Sequence, residues 1–184
     1  MDTAHGSLKA AFLDRDGVLN DLVDRGPDYR IDGQPFRWTA PFRMSELKLR
    51  PDAADALSVM IGKGYALFLA TNQPDVSGGR IDPVEFGWMM RVFRTMPFSG
   101  IYFCAHRPNA GCACRKPAPG MLLNAARRHR IDLARSFMIG DSESDIEAGR
   151  AAGAHTILVS SAPGAATRAD RIAADVMEAA CLLP

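Results

Sequence analysis

Residues 10–20 read AAFLDRDGVLN: an apolar run of four, stopped by Asp14, with a second carboxylate at Asp16 and Gly17 behind it. Such a run without polar alternation suits a strand buried on both faces, because a strand with one wet face alternates with period two. The same arrangement returns at 65–70 (YALFLA, stopped by Thr71-Asn72), 100–104 (GIYFC), 136–139 (SFMI) and 155–159 (HTILV). Most of these runs are separated by segments long enough for crossover helices. Pro51-Asp52 opens a helix over 52–63, with Ala53, Ala56, Leu57, Met60 and Ile61 as its apolar stripe and Gly64 as its stop. Asp82-Pro83-Val84-Glu85 combines an N-cap, a proline at the first helical position and an acid at the third, which predicts a capping box and a helix over 83–95. Helices are also predicted over 119–130, 143–152 and from Asp175 onward, with a small edge strand at 170–174. The expected fold is α/β: a Rossmann-like three-layer domain with a mainly parallel sheet, spanning 1–184 as a single domain.

A chain of 184 residues has the length of one such domain and can bury a core without disulfide staples. Lys and Arg number 22 against 21 Asp and Glu, a balance that argues against the extended positive field of a general nucleic-acid binder. No apolar run approaches the roughly 20 residues of a membrane span, and MDTAHGSLK lacks the basic-then-apolar pattern of a signal peptide. A cytoplasmic monomer is expected. Residues 20–50 have several prolines and little periodicity, and they read as a loop or flap over the site or as a surface insertion anchored by Phe36 and Trp38.

Ligand sites of open parallel sheets lie beyond the C-terminal ends of the strands. Asp14, Asp16, Thr71, Lys116 and Asp141 all fall there, with Asp145 close behind. Singly, each aspartate is as readily a turn or N-cap residue. Together, four carboxylates repel one another unless a hard cation compensates, and Mg²⁺, with its preference for oxygen ligands, fits. The cation and Lys116 would offset charge on a transferring phosphoryl group while Asp14 attacks phosphorus and Asp16 handles the proton of the leaving oxygen.

FLDRDGVLN at 12–20, ATNQ at 70–73, CRKPAPGM at 114–121 and GDSESDIEAG at 140–149 resemble, in order, the four motifs of the haloacid-dehalogenase-like phosphatase superfamily. The resemblance implies Asp14 as the nucleophile, Asp16 as the general acid and base, Thr71 and Lys116 as phosphoryl-group ligands and Asp141 as a Mg²⁺ ligand. It also implies that Asp16 gives its backbone carbonyl to the metal, and that Asp145 fixes water or Lys116 from outside the metal shell.

The segment 104–114, CAHRPNAGCAC, holds Cys104, His106, Cys112 and Cys114, a closed set of three thiolates and an imidazole suited to a structural Zn²⁺. A redox cluster or inert thiols are the alternatives. Cys181 reads as core in an apolar helix, and His5, His129 and His155 as structural or exposed. The loop resembles that of a zinc-containing subgroup, without a large cap domain, that includes heptose bisphosphate and histidinol-phosphate phosphatases. The short spacing from His106 to Cys112 leans toward the histidinol-phosphate type or toward a short-loop heptose subgroup. The TNQ segment and the Pro-x-Pro-Gly-Met ending lean toward the heptose type. The expected substrate is a small phosphorylated sugar, with a heptose bisphosphate losing its C7 phosphate ahead of histidinol phosphate. A polynucleotide 3′-phosphatase and a non-catalytic zinc-stabilised interaction module rank lower. Asn72 and Gln73 would read sugar hydroxyls, Arg80 and Arg115 a second phosphate, and Asp75 or an acid in the 20–50 segment would suit an ammonium-bearing substrate.

Overall fold

The computed structural model describes residues 7–162 and 167–184, so His5 lies outside the described residues. Among those described, β1 (Ala10–Leu13) sits at the centre of a six-stranded sheet with β6 (Ala66–Asn72) and then β7 (Phe98–Cys104) on one side. β8 (Phe137–Gly140), β9 (His155–Val159) and β10 (Arg171–Ala173) follow on the other side, and every neighbouring pair is parallel. Phe12 pairs with Phe68 and Met138 toward one face, and Leu13 pairs with Leu69 and Ile139 toward the other. All four residues of β1 are fully buried, which is why its sequence lacks alternation.

Helices cover both faces. α1 (Ala53–Gly62), α3 (Pro83–Arg94) and α6 (Val176–Leu182) pack with Leu13, Leu69 and Ile139 through Leu57, Met60, Met90, Phe93 and Val176. On the opposite face α4 (Gly120–His129) packs Met121, Leu122 and Ala125 against Phe12, Phe68 and Met138, and α5 (Glu143–Ala152) lies beside it. The strand at 65–70 extends further than its apolar run, through Thr71 and Asn72, because β7 continues to hydrogen-bond it as far as Cys104. A one-turn helix, α2 (Pro74–Ser77), was not signalled by periodicity.

Two local expectations need correction. Asp82 does cap α3 by accepting from the backbone N–H of Val84 and Glu85, but Glu85 does not close the box. Its carboxylate accepts from the backbone N–H of Met44 at 2.6 Å instead, tying α3 to the end of the 20–50 segment. Cys181 lies on α6 as read, yet it is exposed rather than core.

The 20–50 segment is a nested pair of antiparallel ribbons. β2 (Val23–Asp24) pairs with β5 (Trp38–Thr39), enclosing the hairpin of β3 (Arg30–Ile31) and β4 (Gln34–Pro35). Asp32 and Gly33 turn the hairpin with φ of 51° and 80°, the Asp-Gly turn that a short hairpin favours. Arg25 fastens its base: the guanidinium donates to both oxygens of Glu46 at 2.8 and 2.7 Å, to Thr39 Oγ1 at 2.9 Å, and covers the Phe42 ring. Phe36 and Trp38 are both exposed, so neither anchors the segment to the core.

Candidate active site

Asp14 leaves β1 at the sheet's C-terminal edge, held there by its backbone N–H to the Ile139 carbonyl of β8. Lys116 reaches the same point from the loop after β7. Its ammonium stands 2.9 Å from Asp14 Oδ1 and 2.5 Å from Asp145 Oδ1, and donates to the Ala70 carbonyl at 2.7 Å. Asp145 divides its two oxygens. Oδ2 accepts from Ser142 Oγ at 2.6 Å and from the Ser142 N–H at 3.1 Å, closing the capping box that starts α5, while Oδ1 faces the lysine.

Asp141 completes the cluster from the end of β8, with ligand atoms of Asp14, Asp141 and Asp145 all within 4.8 Å of one another. Gly17 makes this approach possible. It has φ of 81°, and a Cβ there would overlap the Asp141 carboxylate. Burial pushes Asp14 up to about 6, against the pull of Lys116 and with the push of Asp145 and Asp16. Asp141 is pushed up to about 8, by burial first and then by Asp14 and Asp145. Burial opposes the Lys116 charge, but the two aspartates outweigh it and hold its pKa above the ordinary value. Asp145 is committed to Lys116 and Ser142, leaving Asp14 and Asp141 as buried carboxylates that also repel one another. That donor set fits a hard divalent cation, whose charge would remove the repulsion.

Asp16 lies beside this cluster, its carboxylate filled with donors. Arg15 Nε stands 3.1 Å from both oxygens, Asn20 Nδ2 3.0 Å from Oδ1, and Gln73 Nε2 2.7 Å from Oδ2. Gln73 also donates to Thr71 Oγ1 at 3.0 Å, so it is a buried brace between Asp16 and Thr71 rather than part of an open edge. Its Oε1 has no protein partner among the described residues. Asn72 likewise does internal work, exchanging two 3.0 Å hydrogen bonds with the backbone of Lys116.

The two basic residues expected at a second phosphate differ in their surroundings. Arg80 is paired 2.5 Å from Asp75, and its guanidinium lies against Gly78. Arg115 is half-buried, with Nη1 3.5 Å from the His106 carbonyl. A cavity of about 610 Å³ opens beside Gly17 and Asp141, walled by Asp21, Trp38, Arg50 and Ser160. Its size suits a small ligand. Arg50 Nε is buried without a hydrogen-bond partner among the described residues, 3.8 Å from Asp21. Sequence reasoning missed Arg50, Ser142 and Arg15. Arg15 and Ser142 lie inside two of the four motifs, but at positions whose residue type does not announce a role, and Arg50 lies outside all four.

The four sulfur and nitrogen ligands of the 104–114 loop converge. Sγ–Sγ distances are 3.2 Å for Cys104–Cys114 and 3.6 Å for Cys104–Cys112 and Cys112–Cys114, and His106 Nδ1 is 3.4 and 3.3 Å from Cys104 and Cys114. A tetrahedron with Zn–S of about 2.3 Å has edges of roughly 3.7 Å, so the set fits zinc. Burial raises Cys114 to about 12, reinforced by its neighbouring thiols. Burial also opposes ionisation of Cys112, yet the Arg115 N–H and the other two thiols draw it down to about 7.

A D-glycero-β-D-manno-heptose-1,7-bisphosphate 7-phosphatase of Photorhabdus laumondii is 36% identical over 191 residues, covering 96% of this chain and 94% of that one. The chain belongs to the heptose bisphosphate phosphatase family. A relative of the same name from Helicobacter pylori is 39% identical over 148 residues, 77% of each chain. The HAD-hydrolase-like family model matches residues 113–180. In fold, the D,D-heptose 1,7-bisphosphate phosphatase of B. bronchiseptica, solved with magnesium and phosphate, has a TM-score of 0.74 at 30% identity, covering 94% of this chain and 96% of that one. The family relation makes this protein a phosphatase of the haloacid-dehalogenase type.

Proposed function

We propose that this protein hydrolyses the C7 phosphate of D-glycero-D-manno-heptose 1,7-bisphosphate in a Mg²⁺-dependent reaction, as a cytoplasmic monomer. The observation that carries the proposal is the Asp14–Lys116 pair, 2.9 Å apart with Asp16 alongside, in a chain whose relatives at 36% and 39% identity are named for that activity. Among the described residues no helix is long and apolar enough to cross a membrane.

An Asp14 carboxylate oxygen attacks phosphorus. The bond from phosphorus to the C7 oxygen breaks, its electron pair stays on that oxygen, and Asp16 delivers a proton to it. In the second half a water oxygen attacks the aspartyl-phosphate, Asp16 takes the water's proton, and the Asp14–phosphorus bond breaks to release inorganic phosphate. Thr71 and Lys116 hold the phosphoryl oxygens and keep Asp14 aimed. The side chains of Asp14 and Asp141 and the Asp16 carbonyl would hold Mg²⁺, which supplies positive charge to the transferring group. Cys104, His106, Cys112 and Cys114 would hold Zn²⁺ and thereby fix the loop that presents Arg115 and Lys116.

A second phosphate calls for a guanidinium free of carboxylate partners. Arg115 fits that need better than Arg80, which Asp75 already neutralises, and Arg50, held only loosely at 3.8 Å by Asp21, is the second candidate. The same Asp75–Arg80 pair weakens the histidinol-phosphate alternative, since an ammonium would have to displace Arg80. Comparing kcat/KM for the heptose bisphosphate, histidinol phosphate and simple hexose phosphates tests the substrate. The heptose bisphosphate should lead. Histidinol phosphate turned over at least about tenfold more efficiently than the heptose bisphosphate would reverse the assignment.

A further inference from the structure

Arg15 is the largest fully buried side chain among the described residues, and the chemistry above gives it no role. Strand alternation explains where it starts. Leu13 faces the α1 and α3 side of the sheet, and Arg15, two residues on, follows it among the buried residues of α3. Nη1 rests 3.7 Å from Met90 Sδ, and the guanidinium carbon lies 5.8 Å from the centre of the Phe93 ring. The group then turns back on Asp16, with Nε 3.1 Å from both carboxylate oxygens and Nη2 2.9 Å from Oδ1.

A buried cation loses its hydration, a cost an apolar residue of the same volume avoids. Here that cost produces one distinctive thing, a fixed plane for the Asp16 carboxylate. Asn20 and Gln73 each hold one oxygen, Oδ1 and Oδ2, with a neutral amide donor. The Arg15 guanidinium adds a charged donor that spans both oxygens at once, and packing on Met90 and Phe93 immobilises the guanidinium itself.

We infer that Arg15 is a positioning residue, orienting Asp16 for proton transfer to the leaving oxygen and from the hydrolytic water. The inference rests on Asp16 being the acid and base, and the variants separate the two claims. Arg15→Met removes the fork and the charge, Arg15→Lys keeps charge without the fork, and Asp16→Asn removes the acid directly.

Steady-state and burst kinetics of all three and of Arg15→Met/Asp16→Asn, on the sugar bisphosphate and on para-nitrophenyl phosphate, make the test. Arg15→Met and Arg15→Lys should each lower kcat on the sugar about 100-fold, with KM changed by less than about threefold. On the aryl ester, whose leaving oxygen needs no proton, the burst of phosphoenzyme formation should fall less than about tenfold. Adding Arg15→Met to Asp16→Asn should cost nothing further, because one function has already been removed. Multiplicative losses in the double variant, a phosphoenzyme burst slowed equally on both substrates, or wild-type kcat in folded Arg15→Lys would each overturn the inference. Should Arg15→Met fail to fold, Arg15→Lys decides it. Wild-type turnover in Asp16→Asn would instead remove the acid–base assignment itself.

Discussion

Two clusters of crowded ligands lie at the same edge of the sheet, and they relieve their crowding differently. The 104–114 loop supplies four soft donors at the separations of a tetrahedron, with no position left for substrate. The ends of β1 and β8 and the first turn of α5 supply hard carboxylates, one consumed by Lys116 and Ser142 and two raised by burial and then by their acidic neighbours. A closed donor set produces a fixed loop, while an incomplete one reserves room for a phosphoryl group. Lys116 follows Cys114 by two residues, so on the proposed reading a zinc-closed loop would aim the cation that the open cluster uses.

The comparison breaks most readily at Asp14. Asp14→Asn should retain the fold and lose at least about 10⁴-fold in kcat, because the amide is no nucleophile. Circular dichroism with turnover assays checks both halves, and normal turnover would dismiss the covalent route.

The closed cluster should answer in stability. Cys112→Ser should lose about one zinc per chain by elemental analysis. A loss of about 3 kcal/mol would lower Tm by roughly 6–12 °C. A Cys112→Ser protein with full zinc content and unchanged Tm would count against a structural metal.

A smaller effect separates the clusters by pH. In protein stripped of magnesium, Asp14 and Asp141 bind protons more tightly folded than unfolded, at about 6 and about 8 against 3.8. Their stabilisation is therefore complete below about 4 and is lost as pH rises through 8. Adding Mg²⁺ should flatten that decline, as should Asp141→Asn, when Tm is followed across the range. A decline that persists unchanged with Mg²⁺ present would show that these carboxylates do not hold the ion.

The smallest expected effect concerns the second phosphate. Arg115→Ala should raise KM for the bisphosphate roughly tenfold while leaving monophosphates within about twofold. The same measurement on Arg50→Ala decides which guanidinium reads that group.

The core strands were legible because burial on both faces erases alternation, and the four motifs fall at their ends. What was not legible depends on where side chains turn after the backbone stops being regular. Asp32-Gly33 carries a turn signal, but two-residue strands are too short to show periodicity around it. Gln73 and Asn72 look like open polar residues in sequence, and only the approach of Asp16 and Lys116 makes them internal braces. Glu85 has the capping-box spacing, and a backbone N–H at Met44 draws it away. Arg80 offers a charge in sequence that Asp75 cancels in space.

The central position of β1 also bears on how the chain comes to be made. AAFL leaves the ribosome first among the sheet strands, yet both of its neighbours, β6 and β8, lie far downstream. Until residue 66 has been synthesised, this wholly apolar segment has no sheet partner, and its second edge stays open until residue 137. Nascent chains must carry that exposed strand through most of their synthesis, a natural target for chaperone capture. Asp14, at its end, gains its backbone hydrogen bond to Ile139 only when the last of those partners arrives.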